Sequence, residues 1–191
     1  QKDLPESHSA ETGHMRIETD PRVVKKLAEE REDENWEFRT FLKGGELEAE
    51  ELDAIVHRHY EEVARQIDCC DCGNCCREVT PILRRDDVDR LASGMDVSRE
   101  ELIERLSVTE QNDVLVFADG PCPLLSGKRC SVYEYRPDDC RSFPHLHKEE
   151  FVSRLMTVVQ NCSICPIVFN VYERLKQELG RAPDDSWDLP F

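Results

Sequence analysis

The chain contains the stretch Cys69-Cys70-Asp71-Cys72-Gly73-Asn74-Cys75-Cys76-Arg77, which places five of its ten cysteines within eight residues. The other five follow at Cys122, Cys130, Cys140, Cys162 and Cys165. A tight turn brings residues i and i+3 to the same side, so thiols at this spacing can bind one soft metal ion or an iron–sulfur cluster. Disulfides fit poorly, because vicinal and overlapping cysteine pairs do not meet the narrow range of Cα separations that a disulfide needs. We therefore predict that the chain binds metal.

Composition limits the class of protein and its partners. Acidic residues outnumber basic ones, 41 to 25, and the formal net charge is −16 in 191 residues. Nucleic-acid backbones and anionic membranes would repel such a chain, so we expect neither as a partner. No segment approaches the roughly twenty apolar residues of a membrane span, and no signal-peptide pattern is present. We expect a cytoplasmic protein, in which cysteines are more often ligands or redox groups than disulfides; a disulfide framework is the minor alternative.

Three cysteines of the opening stretch repeat a known ligand spacing. The pattern Cys69-x2-Cys72-x2-Cys75 matches the first three ligands of bacterial ferredoxin clusters, in which a cysteine followed by proline completes the set. Two such pairs occur here, Cys122-Pro123 and Cys165-Pro166. Spacing alone does not separate an iron–sulfur cluster, [4Fe–4S] in the ferredoxin case, from zinc. An iron–sulfur cluster is favoured because adjacent cysteines with a third and a fourth nearby exceed what one zinc site requires.

The number of centres stays open at the level of sequence. Adjacent side chains diverge, so Cys75 and Cys76 are expected to serve two different centres, unless one of them lies outside the ligand shell. Ten thiols are enough for two four-thiolate centres with two left over, or for one cluster plus structural thiols. Cys70 breaks the two-residue rhythm and is the expected spectator.

The later cysteines form one close pair and three isolated positions. Cys162-x2-Cys165 has the spacing of a second chelating pair. Cys122, Cys130 and Cys140 are spaced more widely and would have to converge through a hairpin. We count all five as candidate ligands.

The hydrophobic pattern divides the chain into four parts. Residues 1–19 are expected to be a disordered extension, with a tag remnant ending near His14. N-terminal helices are expected over residues 20–67, because Asp20-Pro21 is a helix-start signal and the second helix runs directly into the cysteines. Residues 68–180 would form the cysteine-cluster domain, and 181–191 a tail. The predicted fold is mainly α with a small irregular β hairpin: one cysteine-rich metal-binding domain with an N-terminal helical extension.

Three aromatic residues of the first helical segment have two interpretations. Trp36, Phe38 and Phe41 make this segment more aromatic than a free surface helix needs. The favoured interpretation is that they pack on the cysteine domain as core. The alternative is a hydrophobic face on which a partner protein docks.

Several short motifs occur in a specific order. They are Cys69-x2-Cys72-Gly73-x-Cys75-Cys76-Arg77, Cys122-Pro123-Leu124-Leu125, Cys130-Ser131-Val132-Tyr133, Arg136-Pro137-x2-Cys140-Arg141 and Phe143-Pro144. This series resembles the YkgJ-type cysteine-cluster family, a zinc- or iron-chelating domain distantly related to a domain of flagellin N-methylase. The resemblance spans about Cys69 to Cys165, roughly half of the chain. It implies metal binding by every cysteine in these motifs, with Cys162 and Cys165 where such proteins often carry a late cysteine. Cys70 and the N-terminal helices lie outside it.

Non-cysteine residues of the motifs are candidates for contact with the bound cofactor. Gly73 can take a positive φ and turn backbone amides toward sulfur. Arg77 and Arg141 each follow a cysteine, where a guanidinium would offset thiolate charge; Arg136 has an equally good explanation as a surface ion pair. His145 and His147 could complete a zinc site, but surface positions after the Pro144 turn explain them better.

These observations favour one function and leave two alternatives. The favoured function is a protein with one or two iron–sulfur clusters that acts in electron transfer, redox sensing or cluster handling. The first alternative is a zinc-binding structural or protein-interaction module. The second, implied by the flagellin N-methylase relationship, is an accessory subunit of a protein-modifying enzyme. No nucleotide-binding loop or serine–histidine–acid order is apparent, so catalysis by this chain alone is not expected, and its small-molecule substrate, if any, is unknown.

Overall fold

The computed structural model describes residues 16–45, 47–118 and 120–180. The predictions for residues 1–15 and the tail 181–191 fall outside these ranges, as do Glu46 and Asp119. The described residues contain ten α-helices and five short strands and are 61% helical in total, which confirms the mainly α prediction with small antiparallel strands. The α-helices are α1 Pro21–Glu30, α2 Glu32–Gly44, α3 Ala49–Ala64, α4 Cys69–Cys72, α5 Cys75–Glu78, α6 Arg85–Met95, α7 Arg99–Arg105, α8 Asp138–Ser142, α9 Leu155–Cys162 and α10 Pro166–Leu179. The strands are β1 Ile82–Leu83, β2 Thr109–Gln111, β3 Val114–Val116, β4 Leu125–Ser126 and β5 Arg129–Cys130, and two 3₁₀ helices cover Tyr133–Tyr135 and Phe151–Arg154.

The larger of two hydrophobic cores, the helical core, is built from α1, α2, α3, α9 and α10. Helix α1 begins where the sequence predicts, with Pro21 in the first turn and the Asp20 carboxylate accepting the Arg22 N–H at 2.9 Å. Helix α10 packs along α3 and is buried over most of its length. Its Tyr172 lies edge-on to Phe38 at 5.3 Å between ring centroids and donates its hydroxyl to the Asn35 carbonyl at 3.0 Å. Aromatic packing thus joins the N-terminal helices to the last helix.

The three aromatic residues of α2 differ in burial. Phe38 is buried in the helical core, Trp36 packs partly against it, and Phe41 stacks on Phe38 with 45% of its surface exposed. The core interpretation therefore holds for Phe38. A docking face for a partner stays a prediction, for which Phe41 is the exposed candidate.

The smaller core, the sheet core, is formed by α6, α7 and the segments around β1–β3. The three strands pair antiparallel in the order β1-β3-β2, with Ile82 opposite Val116 and Thr109 also opposite Val116. Helix α7 begins at the predicted cap, where Ser98 Oγ accepts the Glu101 N–H at 3.1 Å. Each strand has only two or three residues, so the sheet contributes little backbone pairing of its own.

A separate hairpin of β4 and β5 precedes the 3₁₀ turn Tyr133–Tyr135. The sequence predicted a small irregular hairpin, and in the structure its second strand ends at Cys130. The reason is a tertiary contact: the Tyr135 ring lies over Gly94 of α6, where an added Cβ would be 2.2 Å from it. That packing turns the chain back onto the sheet core.

Within the described residues, no single helix is long and apolar enough to cross a membrane. Phe151–Cys162 and Pro166–Leu179 reach that length only together, as a pair bent by 118°.

Candidate metal centre

The cysteine stretch folds as two one-turn helices separated by a glycine. In α4, the Asp68 carboxylate accepts the Cys70 N–H at 2.8 Å, which caps the turn. Gly73 ends the helix in the left-handed region, at φ 60°. An added Cβ at Gly73 would lie 2.5 Å from the Lys128 carbonyl oxygen, so both the conformation and the close approach to the β4–β5 hairpin require glycine. Gly73 therefore seats the cysteine stretch against the hairpin.

Arg77 stabilises the contact between the cysteine stretch and the β4–β5 hairpin. Its Nη1 donates to the Gly73 carbonyl at 2.8 Å and its Nη2 donates to the Gly127 carbonyl at 2.6 Å. The sequence predicted Arg77 and Gly73 as residues that contact a cofactor. The structure gives both a local role in holding the stretch on the hairpin, and contact with a cofactor stays a prediction.

Four thiols, which we call the first thiol set, come from the cysteine stretch and the start of α10: Cys69, Cys72, Cys75 and Cys165. Burial raises the pKa of Cys165 to about 12, and the nearby thiols of Cys69 and Cys72 act in the same direction. Burial also raises the pKa of Cys69, and the neighbouring thiol of Cys72 is the second-largest cause of the increase. The Asn74 side chain donates to the Ile164 carbonyl at 2.8 Å and so ties the stretch to the loop before Cys165. This set therefore rests on the helical core.

Four further thiols, the second thiol set, adjoin the sheet core: Cys76, Cys122, Cys130 and Cys140. Burial raises the pKa of Cys140 to about 12, and the thiols of Cys122, Cys76 and Cys130 add to this effect. Burial likewise raises the pKa of Cys122 to about 11. The Cys122 N–H donates to the Cys76 carbonyl at 2.8 Å, which joins the cysteine stretch to the segment before the hairpin.

The two sets meet at the adjacent residues Cys75 and Cys76. The Cys75 thiol donates a hydrogen bond to the Cys76 sulfur, which raises the pKa of Cys75 and lowers that of Cys76. The nearby Arg77 guanidinium also lowers the pKa of Cys76. Cys69 lies near Cys76 as well, so the sets share a boundary.

Two cysteines fall outside both sets. Cys70 forms a hydrogen bond with the Tyr133 side chain, and burial together with this bond raises the pKa of the tyrosine. Cys162 is buried in the helical core, where burial raises its pKa and the carboxylate of Glu173 adds to the effect. Cys162 was predicted as a ligand with Cys165. Glu173 and Lys176 of α10 and the thiol of Cys165 all influence the pKa of Cys162, and its role as a ligand stays a prediction.

Thiols of both sets line one cavity of about 390 Å³ between the two cores. Its other walls are apolar and aromatic, with Tyr60, Phe117 and Phe143, and carry the charged residues Lys128, Arg136, Arg141, Asp68 and Asp139. Among the described residues, no three His, Cys, Asp or Glu side chains stand close enough together to form a ready ligand shell. The cysteines therefore fit a metal centre through the chemistry of their donor atoms. Each set contains four soft thiols, the number of protein ligands in a tetrahedral zinc or iron–sulfur centre.

The histidines belong to neither set. His145 Nδ1 lies 2.7 Å from Ser142 Oγ, and its Nε2 lies 3.3 Å from Asp139 Oδ1. This hydrogen bond from His145 lowers the pKa of Asp139. His147 packs against the Tyr60 ring at 6.0 Å between centroids. The sequence analysis did not identify this arrangement of Ser142, His145 and Asp139. Of the three residues, only Asp139 lines the cavity.

A buried carboxylate that sequence reasoning treated only as a helix cap organises the second thiol set. Asp87, 1% exposed, accepts the Arg84 N–H at 2.8 Å and the Asp138 N–H at 3.0 Å, and it pairs with Arg90. Arg90 also pairs with Asp138 at 2.7 Å. Because Asp138 begins α8, this network fixes the helix that carries Cys140. No local signal predicts it, since the partner amide is 51 residues away.

Comparison with known proteins gives one family. Residues 68–165 match the CxxCxxCC family model, described as "Putative zinc- or iron-chelating domain". No curated protein and no solved structure matches the chain. The match covers just over half of the chain and includes all ten cysteines, eight of which form the two thiol sets. The chain therefore belongs to the CxxCxxCC family.

Proposed function

We propose that this chain is an iron–sulfur protein in which each thiol set supplies four ligands to one centre, and that it acts in electron transfer, redox sensing or cluster handling. The observation that carries the proposal is the grouping of eight thiols into two neighbouring sets of four. Six of the eight line the cavity, as does Cys70, while Cys72 and Cys165 lie behind its wall as neighbours of Cys69. Cys70 and Cys162 have other neighbours and are not ligands in this proposal.

The first thiol set supports iron–sulfur chemistry through its composition. It joins the ferredoxin-like triple Cys69, Cys72 and Cys75 to Cys165, which is followed by Pro166. In ferredoxin spacing, a cysteine followed by proline completes the ligand set. The sequence left Cys122 and Cys165 equally eligible for this position, and the contacts of Cys165 with Cys69 and Cys72 favour Cys165.

The cavity supports a polynuclear centre. A structural zinc site is a closed tetrahedron of thiolates with Zn–S distances of about 2.3 Å, and it encloses no free space. The thiol-lined cavity of about 390 Å³ is many times the roughly 30 Å³ that a water molecule occupies in the liquid. Iron–sulfur clusters contain several iron and sulfide atoms and accept or release single electrons. Aromatic walls such as Phe117 and Phe143 would limit the access of water to such a group.

The protonation state of the cysteine thiols depends on whether metal is bound. The raised pKa values of Cys122, Cys140 and Cys165 mean that these thiols are neutral near pH 7 in the absence of a metal ion. Metal ligands must be thiolates, so binding releases protons from these cysteines. These three thiols therefore become anionic only when a cationic centre enters, whereas the lowered pKa of Cys76, about 6, favours its thiolate before any metal binds.

Zinc is the second candidate, and the two four-thiol neighbourhoods are the observation that favours it. Each set contains the complete ligand complement of a closed structural site, with no histidine needed. In that case the two ions would cross-link the helical core to the sheet core, and the protein would serve as a structural or interaction module.

Anaerobic purification of the full chain, followed by a visible spectrum and measurement of iron, zinc and acid-labile sulfide, tests the proposal. A brown protein with equal iron and sulfide and a broad band near about 400 nm supports iron–sulfur centres. A colourless protein with about two zinc ions per chain would replace the proposal by the zinc module. A chain that carries neither metal, and takes up neither on reconstitution, would contradict both.

A further inference from the structure

Arg136 and Arg141 place two guanidinium groups on one wall of the cavity, and neither has a carboxylate partner in the described part of the chain. Arg136 Nη1 donates to the Tyr133 carbonyl at 2.6 Å. Arg141 donates from Nε to the Arg136 carbonyl at 3.0 Å and from Nη2 to the Glu134 carbonyl. The Arg136 guanidinium also lies over the Tyr133 ring, 3.7 Å from its centroid. The carbonyls and the ring accommodate the two guanidinium groups but supply no negatively charged counter-ion.

The two carboxylates on the cavity wall are engaged elsewhere. Asp68 caps α4 through the Cys70 amide. Asp139 accepts the Ile82 N–H at 3.1 Å and lies 3.3 Å from His145 Nε2. The acids nearest the cavity therefore do not pair with Arg136 or Arg141.

Arg136 is half-buried and Arg141 is exposed, so solvent screens the charge of Arg136 less than that of Arg141. Arginine at such a position usually meets an anion, because its planar fork carries a permanent charge and several N–H donors. Within the second thiol set, Cys140 directly precedes Arg141 in sequence. Cys130 lies within the field of the Arg136 charge. A divalent ion bound by four thiolates carries two net negative charges. Arg136 and Arg141 can offset this charge together with Arg77, beside Cys76, and with Lys128 on the cavity wall.

We propose that Arg136 and Arg141 are positioning residues that supply the counter-charge for the anionic metal–thiolate centre of the second thiol set. This inference rests on the proposed metal binding, but not on which metal is native. In this site the thiolates bind the metal, and the guanidinium groups of Arg136 and Arg141 stabilise the negative charge that results.

A purely structural role makes a different prediction. Both arginines bond carbonyls of the turn between Tyr133 and Arg136, so they could serve only to hold that turn. Lysine at these positions keeps the positive charge but loses the planar fork that bonds two carbonyls. Lysine should therefore rescue a charge role and fail to rescue a turn-holding role.

The test is a titration of the metal-free full chain with Zn²⁺ in competition with a colorimetric zinc chelator. The variants are Arg136→Gln, Arg141→Gln, Arg136→Lys and Arg141→Lys, with secondary structure checked by circular dichroism. Arg129→Gln is the matched control, because Arg129 precedes the ligand candidate Cys130 but is already paired with Asp71 at 3.2 Å. Wild-type protein serves as the reference for two binding steps.

The expected result is that each glutamine variant weakens one of the two zinc-binding steps by roughly 10- to 100-fold, the effect typical of residues that support metal ligands. Each lysine variant is expected to keep most of the wild-type affinity, and Arg129→Gln all of it. Glutamine variants with wild-type affinity, or lysine variants as weak as the glutamine ones, would overturn the counter-charge role while leaving metal binding by the wild type intact. Absence of zinc binding by the wild type would overturn the counter-charge role and metal binding together. The iron and sulfide analysis of the purified chain distinguishes that result from a failure of the counter-charge role alone.

Discussion

The helical core and the sheet core each support one thiol set, but they do so with very different amounts of packing. Cys165 belongs to the buried interior of the helical core and starts the 14-residue α10. Cys122 and Cys130 only pack against the edge of the sheet core. Cys140 sits on the five-residue α8. The difference teaches that the first thiol set is attached to a structure that can hold its own shape, whereas the second depends on short segments and on Asp87.

Removal of all metal from the protein should produce the largest difference in stability between the helical core and the sheet core. We expect a strong chelator to destabilise the sheet core far more than the helical core, because structural metal sites contribute on the order of ten kcal/mol and the sheet core is small. Hydrogen exchange of α6 and β3 against α3 and α10 measures the difference. Equal loss of protection in both cores would show that the metal holds the whole chain rather than one part.

Single cysteine substitutions should separate the two sets. Cys140→Ser is expected to remove the metal of the second thiol set and Cys69→Ser that of the first, each leaving about half of the wild-type metal, since a four-thiolate site does not tolerate a missing ligand. Elemental analysis per chain is the measurement.

Cys70→Ser and Cys162→Ala are the controls for these substitutions, because both thiols have neighbours outside the sets. Both should retain full metal content. Loss of metal in Cys162→Ala would restore the chelating pair of Cys162 and Cys165 that the sequence spacing indicated.

Buried carboxylates offer a matched pair, one in each core. Asp87 accepts the amides of Arg84 and Asp138, while Asp53 accepts those of Glu150 and Phe151 at 2.6 and 2.8 Å. We expect Asp87→Asn and Asp53→Asn each to cost about 2–3 kcal/mol of unfolding free energy, since each loses charge-assisted hydrogen bonds.

Only the Asp87 variant should also weaken metal binding. Asp87 fixes the start of α8 and hence Cys140, whereas Asp53 caps the 3₁₀ helix before α9 in the helical core. Denaturant unfolding and zinc titration of both variants test this. Equal metal affinities in the two variants would mean that the position of α8 does not matter to the site.

Sequence reasoning reached the parts of this molecule that depend on nearby residues. The cap at Asp20 and the turn at Gly73 are local properties of the chain, and the mainly α fold and the family followed from pattern and motif order. The expected divergence of the Cys75 and Cys76 side chains is not seen, because their thiols are hydrogen-bonded to each other. Whether the nine predicted cysteines bind metal stays a prediction.

The missed features depend on residues far apart in sequence. The 3₁₀ turn at Tyr133–Tyr135 forms because Tyr135 packs on Gly94, and Asp87 acts through an amide 51 residues away. Similarly, the choice of Cys165 over Cys122 as neighbour of the first cysteines depends on how α10 packs along α3. Spacing and propensity carry no information about such contacts.

The smallest expected effect concerns acid pH and belongs to the helical core alone. Glu178 of α10 pairs with Arg58 at 2.5 Å and with His59 at 2.7 Å on α3, and the hydrogen bond from Arg58 is the main cause that lowers the pKa of Glu178. A carboxylate with a lowered pKa in the folded state stabilises the protein above its unfolded pKa of about 4.5 and loses that contribution as the pH falls through the folded value.

Glu178→Gln should therefore reduce the thermal midpoint slightly at pH 7. The difference from wild type should shrink as the pH falls below 4.5 and vanish once the pH is below the lowered folded-state pKa of Glu178. The effect is small because the Glu178 side chain is 36% exposed and solvent screens the pair. Glu61→Gln, which removes an exposed pair with Arg65, is the control and should change nothing. A constant difference between Glu178→Gln and wild type from pH 7 to 3 would mean that shape rather than charge joins α3 to α10.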